Sequence, residues 1–457
     1  MTRTGASPRQ NRRGGTSWIA SAAWLGGPGL SDDVLIESRD GRIVAVSPGI
    51  DDVDVPRLAG IVMPGLVNAH SHAFHRLLRG RTHRQGGDFW LWRERMYEMA
   101  ASLTPESYES IATAVFIEMA MAGVTTVGEF HYLHHQMGGV PYADPNEMSH
   151  ALVRAARAAG LRLCLLDAGY FTAGFDEPPL HPVQQRFRDP SIESWLQRVQ
   201  MLSTSYHNAT DVLVGLAPHS VRAVSMQGLR MLGQRLVPGI PVHIHVSEQP
   251  AENRECLEAT SMTPTGLLAE SGLLGQHTTL VHATHLTESD IELIGSTATR
   301  VCFCATTERD LADGLGPAAA LSSAGAPLCV GSDSHAVIDL FEEARGIELH
   351  QRLASGRRGL FAPSDLLAAA TTGGSASLGF PDGGLMAGSP ADFLVLDRDS
   401  PRLNGAPRAE LLDAVVFAAT ASDVTDVFVG GNRVVSDREH PGWPGARHAL
   451  RDHLVER

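Results

Sequence analysis

The chain has 457 residues, of which 43% are hydrophobic and 19% are charged, and its net charge is −14. This length and composition fit a globular protein with a large barrel and a smaller domain. The acidic balance argues against nucleic acid as a general partner, because phosphate contacts need a basic surface. No apolar run reaches the length of about 18 residues that a membrane-spanning helix needs, so no membrane partner is expected.

Cysteine and lysine usage limits the chemistry further. The spacing of the five cysteines indicates no disulfide framework, so a cytoplasmic location is expected. Cys302 and Cys304 flank Phe303 in an apolar run, where strand core is a better interpretation than metal binding. The chain contains no lysine, since all 37 basic residues are arginine. Mechanisms that use a Schiff-base lysine or a metal-bridging carbamylated lysine are therefore excluded.

The two ends of the chain resemble each other in their pattern. Residues 1–16 are basic and rich in Gly, Ser and Arg, and they predict a disordered extension without a secretory signal. Residues 17–60 contain short apolar runs and an Asp-Gly hairpin signal at 40–41. Similar short strands with a Gly-Gly turn recur within 386–457. We expect these two segments to form one small β-domain built from both termini.

Between the two ends, residues 61–385 alternate between apolar strands and helices. Buried strands that alternate with helices indicate a parallel sheet, and eight such units predict a TIM-like (β/α)8 barrel. A doubly wound sheet is the second choice, but no Gly-rich phosphate loop follows an early strand. The longest predicted helix spans 252–271. The predicted strands are 61–72, 125–131, 161–171, 212–220, 241–249, 278–286, 299–308 and 327–335.

Histidines and an aspartate concentrate where these strands end, on the face that carries the sites of barrel enzymes. His70 and His72 alternate along a strand and so point to one side. Zinc takes nitrogen and oxygen ligands and keeps an open position in catalytic sites. His245 is preferred to His243, which has the same parity, because it lies nearer the strand end. The predicted ligands of one Zn²⁺ per subunit are His70, His72, His245 and Asp333, a set that also suits Fe²⁺ or Mn²⁺.

Three residues are candidates for moving protons. Glu248 lies three positions after His245, where a carboxyl group could pass a proton to a leaving amine. The alternative interpretation of Glu248 is a helix cap. His282 is preferred to His285 for orienting the attacking water, and Asp333 is expected to accept the proton of that water.

The motifs that carry these residues resemble the amidohydrolase superfamily. The motifs are NAHSH after Met-Pro-Gly, HIHVSEQ, VHATH and GSDSH, and the similarity runs from about Ile61 to Asp392. The two ends of the chain resemble the small β-sandwich domain of that superfamily. The resemblance implies a mononuclear metal deaminase, in which the HxH pair, a later His and an Asp hold the metal. A Glu and another His assist the reaction in such enzymes. The lack of lysine agrees, because binuclear relatives commonly use a carbamylated one.

Four further segments resemble the family of formimidoylglutamate deiminases, which hydrolyse N-formimino-L-glutamate to N-formyl-L-glutamate and ammonia in histidine degradation. The segments are FWLWRERMYEM (89–99), EFHYLHH (129–135), YADPNEMS (142–149) and PHSVRAV (218–224). The resemblance implies a substrate-binding set of Arg93, Tyr132, His219 and Arg222. Arginine suits a dicarboxylate because its planar guanidinium contacts carboxylates in a bidentate way.

One position departs from that family. His75 stands where the family commonly has Gln, and it is expected to bind substrate with modest consequences for activity. Arg93 lies in an insertion after the first barrel strand, residues 73–103, which is predicted to cover the mouth as a lid.

Three alternatives remain at this point. A deaminase of a purine, pterin or related heterocycle would use the same barrel, and Trp90 and Trp92 keep it open. A metal-free binding protein on this fold is disfavoured by the complete ligand set. A binuclear amide hydrolase is disfavoured by the lack of lysine. A small-molecule dicarboxylate is the expected partner, and the family resemblance implies a homodimer.

Overall fold

The computed structural model describes residues 15–455 except 52, 84–88, 177, 381 and 382. Residues 1–14, which make up most of the predicted N-terminal extension, lie outside the described part. Gly15 and Thr16 belong to the first strand. Within the described residues, none of the helices is both long and apolar enough to cross a membrane.

The strands of the described chain form one eight-stranded sheet and one seven-stranded sheet. In chain order they are β1 (Gly15–Trp24), β2 (Leu30–Arg39), β3 (Arg42–Ser47), β4 (Arg57–Pro64), β5 (Leu66–Ser71), β6 (Val124–His131), β7 (Arg162–Gly169), β8 (Val212–Pro218), β9 (Val242–Val246), β10 (Thr278–His282), β11 (Arg300–Phe303), β12 (Leu328–Val330), β13 (Phe393–Leu396), β14 (Val424–Val429) and β15 (Asn432–Val435).

Helices separate the strands of the larger sheet and extend beyond it. They are α1 (Phe89–Ser102), α2 (Pro105–Met121), α3 (Glu147–Ala159), α4 (Ile192–Tyr206), α5 (Met226–Gly233), α6 (Pro250–Thr260), α7 (Pro264–Glu270), α8 (Glu288–Ser296), α9 (Ala305–Asp310), α10 (Ala318–Ala324), α11 (Leu340–Ser355), α12 (Pro363–Ala368), α13 (Gly374–Ser377), α14 (Leu411–Ala418) and α15 (Trp443–Val455).

The eight parallel strands β5 to β12 lie side by side in chain order. The circle is closed by a parallel bridge between Ser71 and Asp333. Asp333 N–H also donates to the carbonyl of His70 at 3.0 Å. The predicted (β/α)8 barrel is therefore confirmed, and its closure brings the first and last strands together at the end where their histidines and aspartate lie.

The predicted opening strand, 61–72, is wrong as a single element. β4 ends at Pro64 and belongs to the seven-stranded sheet, whereas β5 starts the barrel at Leu66. Pro64 cannot donate to a strand ladder. A Cβ on Gly65 would lie 2.2 Å from Thr125 Oγ1, so only glycine fits where the chain passes between the sheets.

The seven-stranded sheet combines both termini in the order β15-β14-β13-β4-β1-β2-β3, which confirms a second β-structure built from both ends. A bridge between Arg42 and Pro390 joins the far edge of this sheet to the segment before β13, so the sheet curls around its own core. Trp18 packs edge-on against Phe393 and Phe428 at 5.2 and 5.4 Å. The exact limits predicted for the two domains stay a prediction.

The predicted helix at 252–271 is also wrong, because two helices occupy this range. α6 ends before Ser261, whose φ of +59° leaves the helical region. Thr263 then caps α7 by accepting a hydrogen bond from Gly266 N–H at 3.0 Å. Pro264 explains the break, since a proline lacks the N–H that a continuous helix needs and fits the first turn of a new one.

Candidate active site

The four predicted metal ligands meet at the mouth of the barrel. His70 and His72 lie at the end of β5, His245 lies on β9, and Asp333 follows β12, and all four are buried. Nε2 of His70 and Nε2 of His72 are each 3.4 Å from Asp333 Oδ1. Nε2 of His245 is 3.1 Å from Nε2 of His70. The barrel thus brings together residues that are up to 263 positions apart in sequence.

Backbone contacts orient two of these imidazoles. Nδ1 of His72 lies 2.8 Å from the carbonyl oxygen of Phe130, and Nδ1 of His245 lies 2.9 Å from that of His219. A carbonyl only accepts, so each Nδ1 carries the proton and each Nε2 keeps its lone pair. Burial lowers the pKa of both histidines well below the usual value. They are therefore neutral, which is the form that binds a metal.

The donor set fits a divalent cation. The rings of the three buried histidines His70, His72 and His245 lie against one another, and Nε2 of His245 is 3.1 Å from Nε2 of His70. Three groups have ligand atoms within 4.8 Å of one another: His70, His72 and His245; His72, His75 and Asp333; and His282, Cys304 and Asp333. His243 lies deeper in the barrel, where Nε2 is 3.0 Å from the carbonyl oxygen of Ser377.

Unusual backbone conformations place two of the polar side chains. His282 has φ of +70° and Asp333 has φ of +42°, in the left-handed region that non-glycine residues seldom occupy. Such conformations persist where the surrounding structure holds them, and they concentrate at functional sites. Gly331 precedes Asp333 by two residues, and a Cβ there would lie 2.7 Å from Cβ of His70. The close approach of β12 to β5 therefore requires glycine.

His282 stands among three carboxylates. Its Nε2 is 3.8 Å from Glu248 Oε1 and 3.9 Å from Asp333 Oδ2, and its Nδ1 is 3.5 Å from Glu308 Oε1. Burial lowers the pKa of His282, but these carboxylates raise it to about 10 in the protein alone. The arrangement can pass a proton between carboxyl groups and an imidazole. His285 faces away, with Nε2 at 2.7 Å from the carbonyl oxygen of Asp313.

Glu129 is a buried carboxyl group of this site that was not predicted. Its Oε2 accepts from Ser71 Oγ at 2.5 Å, and its Oε1 accepts from Ala73 N–H at 2.6 Å. Burial raises the pKa of Glu129 to about 8, against these hydrogen bonds, which lower it. The contacts hold the turn on both sides of His72. The available signal was one acidic residue inside an otherwise apolar barrel strand.

Glu308 and Asp313 were also not predicted. Glu308 accepts from the N–H of Cys304 at 2.9 Å, which fixes its carboxylate beside His282. Asp313 is buried and pairs with the side-chain amide of Gln249. Burial, together with the charge of Glu248, raises the pKa of Asp313 to about 9. Glu308 lies in α9 and Asp313 follows that helix, in a part of the sequence that contains no motif that we recognised.

A pocket with a volume of about 100 Å³ leads from this cluster to the surface. It contains all five residues predicted to bind substrate, and aromatic side chains line it further. Its lining includes His75, Arg93, Tyr132, His219, Arg222, Trp92, Tyr97, Tyr170, Gln184 and Phe187. The predicted set therefore lies in one place, although no contact with a substrate tests the role of any member. The side chain of Trp90 lies outside the described residues.

The two arginines of the pocket come from different elements. Arg93 lies on α1, within the predicted lid, with Cζ 5.9 Å from the centre of the Tyr97 ring. Nε of Arg222 is 3.4 Å from Oε2 of the buried Glu252. One carboxylate thus orients Arg222. Glu252 was not predicted, because it lies one turn into α6 without a motif.

His75 and Tyr132 form a pair beside the four predicted metal ligands, His70, His72, His245 and Asp333, which we call the metal-type cluster. Nε2 of His75 is 2.6 Å from Oη of Tyr132. Burial lowers the pKa of His75 to about 3, and it lowers the pKa of His219 to the same value. Both imidazoles are therefore neutral hydrogen-bonding groups rather than cations. Among the five residues predicted to bind substrate, the positive charges therefore come from Arg93 and Arg222.

Comparison with known proteins agrees with this geometry. A model of the amidohydrolase family matches residues 61–434. The chain belongs to the amidohydrolase family. A formimidoylglutamate deiminase from Pseudomonas aeruginosa is 39% identical over 415 residues, which are 89% of this chain and 91% of the relative. A 5-methylthioadenosine/S-adenosylhomocysteine deaminase from Natronomonas pharaonis is 30% identical over 412 residues, 89% of each chain.

Solved structures of other amidohydrolase-like proteins have the same fold. An amidohydrolase from Brucella melitensis superposes with a TM-score of 0.89 at 33% identity, over 96% of this chain and 99% of that one. An adenosine deaminase from Xanthomonas campestris, solved with bound zinc, superposes with a TM-score of 0.81 at 24% identity. That superposition covers 96% and 98% of the two chains. The barrel and the sheet built from both termini are thus shared across these proteins.

Proposed function

We propose that this amidohydrolase hydrolyses N-formimino-L-glutamate to N-formyl-L-glutamate and ammonia. The observation that carries the proposal is that one pocket holds both a metal-type cluster and two arginines, Arg93 and Arg222. The first group suits hydrolysis of a C–N bond, and the second suits a substrate with two carboxylates. The 39% identity to the Pseudomonas aeruginosa formimidoylglutamate deiminase supports the same activity.

His70, His72, His245 and Asp333 would hold one Zn²⁺, because three neutral imidazoles and a carboxylate are typical ligands of catalytic zinc. A bound divalent metal would supply Lewis acidity and lower the pKa of water near the substrate. Imidazole and carboxylate ligands also suit Fe²⁺ and Mn²⁺, so the identity of the metal is a separate measurement.

Three side chains would move the protons. Asp333 accepts a proton from the attacking water, and His282, 3.9 Å from Asp333 Oδ2, orients that water. The water oxygen then adds to the formimino carbon. Glu248, 3.8 Å from His282 Nε2, donates a proton to the imine nitrogen, which gives a tetrahedral carbon that bears OH and NH₂. The NH₂ group then takes the proton held by Asp333, and the hydroxyl group returns its proton to Glu248. The C–N bond breaks, and ammonia leaves as the formyl C=O forms.

The outer part of the pocket would bind the glutamate part of the substrate. Arg93 and Arg222 would contact the carboxylates, and such charge-assisted hydrogen bonds are stronger than neutral ones. His75 and Tyr132 pack against His72, His219 packs against His245, and these three residues would hold the formimino group. The neutral state of both histidines suits a group that both donates and accepts hydrogen bonds.

The second candidate is deamination of a heterocycle. The Natronomonas pharaonis relative is named for a purine-containing substrate, and Trp92, Tyr97 and Phe187 supply aromatic surface in the pocket. A neutral ring, however, would leave Arg93 and Arg222 without an anionic partner from the ligand. Desolvating such cations costs free energy that a dicarboxylate would recover. The dicarboxylate is therefore favoured.

The test is ammonia release by purified, zinc-loaded protein from N-formimino-L-glutamate, with 5-methylthioadenosine, guanine and cytosine in parallel. We expect fast turnover of the first compound alone. Arg222→Met should raise KM strongly, whereas Arg230→Met, which removes an exposed ion pair with Glu270, should not. Turnover of only a heterocycle would overturn the substrate assignment. The homodimer and the cytoplasmic location stay predictions.

A further inference from the structure

Tyr170 lies in the pocket directly after the end of β7 and was not among the predicted site residues. Its ring packs edge-on against His219 at 4.9 Å and against Phe187 at 5.7 Å. The backbone beside it is fixed, because Phe171 N–H donates to the carbonyl of Ala223 at 2.8 Å. The hydroxyl group of Tyr170 is therefore held in one region of the pocket.

The direction of the hydrogen bond at this hydroxyl follows from its partner. The backbone N–H of His181 donates to Oε1 of Gln184 at 2.7 Å, which assigns the amide oxygen to that side. The amide nitrogen of Gln184 must then face Tyr170 and donate to its Oη at 2.7 Å. The tyrosine oxygen is thus an acceptor, and its own proton is left over. Within the described part of the chain, that O–H donates to no other group.

Tyr170 shares the pocket with Arg93 and Arg222. Thr172 Oγ1 donates to the carbonyl of Arg222 at 2.8 Å, so the segment that carries Tyr170 runs beside this arginine. Burial raises the pKa of Tyr170, although the charges of Arg222 and Arg93 act in the opposite direction. The phenol therefore stays protonated and can donate.

We propose that Tyr170 is a specificity-determining residue that donates a hydrogen bond to a substrate carboxylate, and that Gln184 is its positioning residue. This role rests on the proposed function, which supplies the dicarboxylate. A carboxylate accepts hydrogen bonds but cannot donate them. It therefore matches the Tyr170 hydroxyl group, whose oxygen already accepts from Gln184 and whose proton can be donated. A primary amide has only one acceptor oxygen, so its NH₂ group would face a donor, either the Tyr170 O–H or an arginine N–H. Tyr170 therefore selects carboxylate over amide.

The first experiment compares Tyr170→Phe with the wild-type protein. We expect KM for N-formimino-L-glutamate to rise about tenfold to a hundredfold, as for a hydrogen bond to a charged group, with little change in kcat. Tyr206→Phe is the matched control, because its hydroxyl bonds to His150 Nδ1 at 2.6 Å outside this pocket. Zinc content and unfolding midpoint should be the same in all three proteins. An unchanged KM in Tyr170→Phe would overturn the proposal.

The second experiment measures binding without turnover. Calorimetry with N-formyl-L-glutamate and with its two monoamides, N-formyl-L-glutamine and N-formyl-L-isoglutamine, gives the preference for each carboxylate. We expect wild-type protein to prefer the dicarboxylate and Tyr170→Phe to lose the preference at one carboxylate by about tenfold or more. A preference that survives in Tyr170→Phe would contradict the selection.

The role of Gln184 is tested by a double-mutant cycle. Gln184→Glu offers the hydroxyl an acceptor, so the Tyr170 proton turns away from the ligand and dicarboxylate binding weakens. The same change in the Tyr170→Phe background should cost less, since no hydroxyl remains to turn. Equal losses in both backgrounds would show an effect of charge alone and reject the positioning role.

The outcomes separate this proposal from the proposed function. If wild-type protein binds dicarboxylates but releases no ammonia, the function fails while the binding comparison still decides the role of Tyr170. If turnover is fast and Tyr170→Phe behaves as wild type, the function stands and the role of Tyr170 is wrong. If no dicarboxylate binds at all, both proposals are overturned.

Discussion

Replacing Glu129 should weaken metal binding without any change to a predicted ligand. The carboxyl group joins β6 to the turn after β5 by accepting from Ser71 Oγ at 2.5 Å and from Ala73 N–H at 2.6 Å. Glu129→Leu keeps the approximate size but leaves Ala73 N–H buried without its acceptor, while Ser71 Oγ keeps only its contact with His335 Nε2 at 3.2 Å. Each unpaired buried group costs about 1–3 kcal/mol of unfolding free energy. The turn carries His72, so loss of these contacts should also misplace a metal ligand. We expect metal affinity to fall by about tenfold to a hundredfold, which is typical when residues that position metal ligands are replaced.

The assay is the zinc dissociation constant from competition with a chelator, together with the unfolding free energy from denaturant titration. Glu343→Leu is a matched control. Glu343 is equally buried, and its carboxylate accepts from the N–H of Thr306 at 3.0 Å and from the hydroxyl of the same residue, with no predicted ligand between them. We expect both variants to lose stability and only Glu129→Leu to lose zinc affinity. Wild-type zinc affinity in Glu129→Leu would refute the reasoning.

Glu129→Gln separates the hydrogen bonds from the charge. Burial raises the pKa of Glu129 to about 8, so the group is mostly protonated at neutral pH. A glutamine amide keeps an acceptor for Ala73 N–H and places its NH₂ group against Ser71 Oγ, which can accept this hydrogen bond because it also contacts His335 Nε2 at 3.2 Å and can donate there. We expect this variant to bind zinc nearly as well as wild type. An affinity as low as that of Glu129→Leu would show that the ionised carboxylate is required.

Three further predictions concern other parts of the molecule. Asp333→Asn should abolish ammonia release, and a near-normal rate with full metal content would contradict its role as proton acceptor. His75→Gln should change KM by less than about tenfold, because an amide can also reach the Tyr132 hydroxyl that His75 contacts at 2.6 Å. Burial opposes ionisation of Asp189, but hydrogen bonds from His135 and Arg198 hold its pKa below the usual value. Asp189 therefore stabilises the fold above its unfolded pKa of about 4, and this contribution is lost as pH falls through the lower folded pKa. Unfolding free energy measured between pH 3 and 6 should fall towards acid less steeply in Asp189→Asn, and an identical slope would refute this.

The architecture was largely predictable because it depends on periodicity. Apolar strands of the correct length, each followed by a helix, indicate a barrel before any contact is known. The wrong predictions, the single strand at 61–72 and the single helix at 252–271, lie where a continuous pattern contains a proline at the boundary between two elements. The run 61–72 is apolar throughout, so only the pairing of β4 with β1 and β13 shows that the chain changes sheets at Pro64 and Gly65.

The metal-type cluster was predictable for a related reason. In a parallel barrel the carboxyl ends of all strands face the same side, so polar residues at those ends must lie near one another. His70, His72, His245 and Asp333 were selected on this basis, and their side chains lie within a few ångströms of each other. The substrate-binding set depended instead on resemblance to a family, and its roles stay predictions.

The sequence by itself therefore determined the barrel, the second sheet built from both termini, and the residues that lie together at the mouth of the barrel. Each of these depends on repeated local patterns. Only the tertiary structure decided how those residues are held. Glu129 supports the turn at His72, Glu252 orients Arg222, and Gln184 directs the Tyr170 proton. These contacts join elements that are distant in the chain, and hydrogen-bond direction depends on atoms a few ångströms apart. No periodic pattern records such distances, so they appear only when the barrel closes.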